Sequence, residues 1–77
     1  INNKSAEGKT IVIKRDASLI SSLYDFKRDI ELWAWENDID LLWQGHCTRE
    51  GLHTKTVEIE YYIDDDSMRT LFALKWT

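Results

Sequence analysis

Proline is absent from this 77-residue chain, cysteine occurs once, and glycine occurs three times, at positions 8, 45 and 51. A single cysteine cannot close an intramolecular disulfide, so the composition fits a reducing compartment, most simply the cytoplasm. No apolar run approaches the roughly 20 residues that a membrane helix needs, and no signal-peptide pattern opens the chain. Bases are in deficit: ten Lys and Arg against fourteen Asp and Glu leave a net charge of −4. That argues against direct nucleic-acid binding, which relies on Lys and Arg to displace counterions from phosphates, and against adsorption to an anionic membrane. No repeat, low-complexity tract or linker divides the chain. The expected organisation is a polar, flexible arm over residues 1–8 and one compact domain over residues 9–77.

What is present is strongly two-toned. Hydrophobic residues make up 43% of the chain, charged residues 31%, and four residues are Trp. So short a chain buries only about 60–65% of the surface it exposes when unfolded, and large aromatic side chains offset that thin margin. The most informative stretch is residues 56–66, Thr-Val-Glu-Ile-Glu-Tyr-Tyr-Ile-Asp-Asp-Asp. Successive side chains of a strand point to opposite faces. Val57, Ile59, Tyr61 and Ile63 therefore belong to a buried face, and Glu58, Glu60 and Tyr62 to an outer one.

The β-branched run Thr10-Ile11-Val12-Ile13 reads as a first strand. Asp16 or Ser18 can cap a helix over residues 18–36, in which Leu19, Leu23, Phe26, Ile30 and Trp33 form one stripe, widened by Ile20 and Ala34. Asn37 is expected to end it in a left-handed conformation. A second strand should begin near Asp38, with Ile39, Leu41 and Trp43 on one face and Asp40, Leu42, Gln44 and His46 on the other. Arg49-Glu50-Gly51 reads as a tight reversal, and residues 64–67 as another turn. A last strand is predicted over residues 68–76, with Phe72, Leu74 and Trp76 sharing a face. The fold expected is α+β, one amphipathic helix on a three- to four-stranded mainly antiparallel sheet, in the order β-α-β-β-β. Cystatin-like and monellin-like domains share that coarse order. The resemblance stops at topology, since Gln44-Gly45-His46-Cys47 does not match the cystatin Gln-x-Val-x-Gly loop.

Reactive side chains are few. If the reversal paired Thr48 with Leu52, Cys47 would face His53 across a hairpin while His46 pointed away. Two such ligands fall short of a zinc site, so a small thiol beside a surface imidazole is the preferred reading. As a thiol nucleophile the pair would lack any glycine-rich turn or helix start able to form an oxyanion hole. Asp64, Asp65 and Asp66 lack the alternate spacing and distant Glu of a calcium loop. No enzyme, metal or cofactor is therefore expected.

The carboxylates acquire meaning together. Glu58, Glu60, Asp64, Asp65 and Asp66, with Asp38 and Asp40 on the neighbouring strand, could form one acidic surface. Alternate strand residues lie about 6.5–7 Å apart, close to the spacing of phosphates along a nucleic-acid strand. Trp35 falls off the helical stripe and Tyr62 shares the face of the glutamates, where both suit an interface anchor. The function expected is a small acidic, non-enzymatic binding or inhibitory protein of immunity or anti-nuclease type, occupying a basic surface of a partner protein, one that binds nucleic acid being among the candidates. The alternative is a homodimer built through an edge strand and the off-stripe Leu32, Trp35, Leu42 and Leu71.

Overall fold

The computed structural model describes residues 8–77. The arm expected over residues 1–8 lies outside them, Gly8 excepted. Strand β1 (Thr10–Asp16), helix α1 (Leu23–Glu36), strand β2 (Leu42–Glu50), strand β3 (Lys55–Tyr62) and helix α2 (Asp66–Trp76) follow in order. The three strands form one antiparallel sheet in the order β1-β3-β2. The α+β class holds, but the fourth strand is replaced by α2, so the chain departs from the β-α-β-β-β order.

The first strand forms where its β-branched residues stand. Asp16 then caps a 3-10 turn, Ala17–Leu19, accepting from the Ser18 amide at 3.0 Å. Ile20 is extended, and α1 starts only after Ser22, whose hydroxyl accepts from the Asp25 amide at 3.0 Å. Leu19 is consequently exposed rather than part of the stripe, while Phe26, Ile30 and Ala34 are buried. At the C-terminus the left-handed residue is Asp38, at φ 58, not Asn37, at φ −106. Asp38 N–H donates to the Trp35 carbonyl at 3.2 Å and Ile39 N–H to the Ala34 carbonyl at 2.8 Å, a two-bond cap that tucks Ile39 into the core.

That cap delays β2 until Leu42. Gly45, at φ 142, marks a bulge between Trp43 and Gly45. The extra residue reverses the facing, so His46, opposite Ile59, falls on the side of Trp43, opposite Tyr61, instead of the side of Leu42. The β2–β3 connection spans residues 51–54, and Gly51 N–H donates to the Thr54 carbonyl at 2.7 Å. Thr48 pairs with Val57, not Leu52. Gly51 serves close approach rather than positive φ: a β-carbon there would meet Thr54 Oγ1 at 2.9 Å.

The predicted last strand is helical because Asp65 caps it, accepting from the Met68 amide at 2.9 Å, and Asp66 pairs with Arg69 one turn on. Phe72 is fully buried, whereas Leu74, placed with it on one strand face, is 79% exposed. Phe72 meets Trp33 and Tyr61 edge-on, and Trp76 meets Phe26 and Trp33 likewise. Residues of α1 and α2 join Ile13, Val57, Ile59, Tyr61 and Ile63 in one core on a single face of the sheet. The other face is open, and β2 is exposed along nearly its whole length.

Candidate functional site: an acid-rimmed cleft

Register defines the open face. Glu58 lies between Lys14 on β1 and Cys47 on β2, Glu60 between Val12 and Gly45, and Tyr62 between Thr10 and Leu42. This face is not uniformly acidic. Arg49 Nε donates to Glu58 Oε2 at 2.9 Å, and Lys14 stands directly across, so base surrounds the first glutamate. Glu60 makes no ion pair with a described residue and borders a shallow hollow of about 210 Å³, lined also by Val12, Gln44, Gly45 and Cys47.

The aspartates gather elsewhere. At one end of the sheet, the α1–β2 connection runs beside the β3–α2 connection. Between them lies a cleft of about 490 Å³. Asp38, Asp40, Tyr62, Asp64 and Asp65 rim it, and Leu41, Leu42, Ile63 and Met68 line its apolar part. Three of the four rim aspartates are fixed by local contacts. Asp38 is held by the two-bond cap of α1, and Asp65 by its role as N-cap of α2. Asp64 Oδ1 accepts from Lys9 Nζ and from the Tyr62 hydroxyl, both at 3.1 Å. The hydrogen bond from the Lys9 ammonium, then that from Tyr62, hold the Asp64 carboxyl below the usual carboxylate range and raise Lys9 in return.

The structure therefore splits the sequence-predicted residues. Five converge on the cleft, while Glu58 and Glu60 stay on the open sheet face. Asp66 turns away to Arg69, whose guanidinium also donates to the Ile63 carbonyl at 2.6 Å and so fixes the cleft's inner wall. Trp35 is 76% exposed on the last turn of α1, one hydrogen bond from Asp38 but outside the cleft lining. Leu32, Leu42 and Leu71 are exposed as well. Sequence reasoning missed Leu41 and Met68 as cleft wall and Lys9 as the tie on Asp64. Leu42, out of phase with its strand, was the one visible signal.

Chemically, carboxylates above an apolar wall suit a cation carried on an aliphatic stem. No cysteine or histidine lines the cleft. Cys47 pairs with Glu58 rather than facing His53, and no group of three or more His, Cys, Asp or Glu among the described residues is arranged to hold a metal ion. No described helix is long and apolar enough to cross a membrane. Comparisons with protein-family models, curated proteins and solved structures find no match to this chain.

Proposed function

We propose that the chain is a non-enzymatic binding module that takes a basic segment of a partner protein into the Asp38–Asp40–Asp64–Asp65 cleft. The observation that carries this reading is the convergence of four carboxylates from two separate connections around one apolar-walled hollow. A Lys or Arg of the partner would lay its stem on Leu41, Leu42 and Met68 and its charge among the aspartates. The Lys9–Asp64 pair, exposed and exchangeable, would yield to the incoming cation at little cost. Trp35 and Tyr62 stand at the margins as aromatic anchors. Blocking a surface that otherwise grips nucleic acid is a task this chemistry suits, with charge speeding encounter and salt slowing it.

Calorimetric titration with a Lys/Arg-rich peptide carrying one aliphatic residue tests the idea. Asp38→Asn with Asp40→Asn should weaken binding by about tenfold or more, and added salt should weaken it further. Equal affinity for the parent and the double variant would remove the cleft from the argument.

A further inference from the structure

Strand β2 is one edge of the sheet, and beyond Leu42 it lies outside the cleft. The helices pack over β1 and β3, leaving residues on both faces of β2 exposed. The phase of its ladder follows from the hairpin. Antiparallel pairs alternate between those that exchange backbone bonds and those that do not. The Gly51–Thr54 bond makes Arg49–Thr56 and Cys47–Glu58 bonded pairs. The Ile63 N–H bond to the Lys9 carbonyl, 2.8 Å, gives the same phase from the other edge, since it assigns the odd residues of β3 to β1 and the even ones to β2. The N–H and C=O groups of His46, Thr48 and Glu50 therefore point to the free edge.

Natural edges are blunted by proline, lysine, bulges or covering elements. Here the strand holds no proline and no lysine, and its bulge lies before His46, leaving residues 46–50 regular. The side chains decide what can pair with it. An antiparallel two-fold centred on Thr48 sets Thr48 against its own copy and, on the same face, each His46 against Glu50 of the second copy. An imidazole N–H thus comes within reach of a carboxylate acceptor twice, around a Thr–Thr pair, itself a favourable cross-strand combination. Moving the axis to Glu50 would oppose two carboxylates. Moving it to His46 would draw the bulge into the ladder and set Glu50 against Leu42. Of these three axes through an outward-pointing residue, only the one at Thr48 avoids opposed carboxylates and keeps the backbone regular.

We propose that β2 pairs with β2 of a second copy about a two-fold axis at Thr48, joining two sheets into one of six strands. Three outward-facing residues from each copy would close the seam with main-chain bonds, and the two acid-rimmed clefts would lie at opposite ends of the joint.

Sedimentation equilibrium of the full chain tests this, together with amide exchange. The expected mass at micromolar concentration is twice the 9.1 kDa of one chain. The amides of His46, Thr48 and Glu50 should gain protection as concentration rises. Glu50→Lys should weaken dimerisation by at least tenfold, and adding His46→Glu to it should restore the dimer, because the swap sets a carboxylate against an ammonium at the same cross-strand positions. Thr48→Pro deletes an outward N–H that the β3 ladder does not use, and should give a monomer with an unchanged far-UV dichroism spectrum. A monomer up to millimolar concentration would overturn the proposal, and so would a dimer indifferent to Glu50→Lys. A double variant that fails to recover would discard the Thr48 register. None of these outcomes bears on peptide binding in the cleft, which the Asp38 and Asp40 substitutions report separately.

Discussion

Ile39 donates its backbone N–H to the carbonyl of Ala34 at 2.8 Å, and both side chains are buried, so the end of α1 is locked from the main chain and from the core at once. Asp38 is the residue bent between them, left-handed at φ 58. Asp38→Gly should therefore leave the fold intact and raise its stability by about 0.5 kcal/mol, the left-handed cost of a β-carbon less glycine's extra chain entropy. The same change removes one rim carboxylate and should weaken capture of a basic peptide. Denaturant melts and peptide titration would move in opposite directions, which a purely structural aspartate would not produce.

Asp65 combines the same two duties, and they can be separated chemically. Asp65→Ala should cost about 1 kcal/mol by stripping the N-cap of α2, whereas Asp65→Ser keeps a capping oxygen and should cost far less. Both should lower affinity for a cationic peptide equally. If Ser at 65 bound as tightly as the parent, the charge there would have no part in recognition.

The helical nature of the C-terminal segment makes neighbours in sequence unequal. Phe72→Ala should destabilise by about 3–5 kcal/mol, since it empties the contacts with Trp33 and Tyr61. Leu74→Lys, on an exposed position, should stay within about 0.5 kcal/mol of the parent. A strand would have made both substitutions costly.

Tyr61 supplies a pH dependence with a definite sign. Its ring is buried and its hydroxyl donates to Glu31 Oε2 at 2.9 Å. Burial first, and the neighbouring carboxylate second, push the phenol well above its ordinary range. The folded chain therefore keeps a proton that the unfolded chain releases near pH 10, so this contribution is complete below about pH 10 and is lost as pH rises further. Thermal melts should shift downward in that range, and the slope should flatten in Tyr61→Phe. That variant should also start about 1.5–3 kcal/mol less stable, the worth of a hydrogen bond to a charged group.

Asp64 works in the opposite sense. Its carboxyl is held low by Lys9 and Tyr62, so the tie it anchors is complete above the ordinary carboxylate pKa of about 4 and is lost as pH falls below that value. Chemical shifts of the Lys9 side chain should report the opening, and in Lys9→Gln the Asp64 carboxyl, followed by its own chemical shifts, should titrate closer to the ordinary carboxylate range.

The helical stripe of α1 and the alternation of Val57, Ile59, Tyr61 and Ile63 were legible in the sequence because each repeats one period over several residues. The last element was not. Phe72, Leu74 and Trp76 fit a strand at spacing two, while Met68, Phe72 and Trp76 fit a helix at spacing four. Asp65, three residues before Met68, was the deciding cap signal, and it looks the same as a turn residue. Gly45 inside an alternating run was the trace of the bulge, whose effect on facing is geometric rather than compositional. The cleft was half legible. Its aspartates stood out, but their meeting depends on two connections more than twenty residues apart being brought together by β3, which no local pattern encodes.

The strand order β1-β3-β2 leaves β1 and β2 parallel to each other with a gap between them that only β3 fills. During synthesis, the first fifty residues can therefore make a helix and two strand-forming segments but no native strand pair. The sheet has to wait for residues 55–62, and β1 must be held open until they arrive. Such late, non-local closure slows folding and leaves β1 and α1 apolar and unsheltered in the meantime. A nascent chain halted just after Glu50 should accordingly be protease-sensitive throughout, and one extended past Tyr62 and α2 should become resistant in a single step.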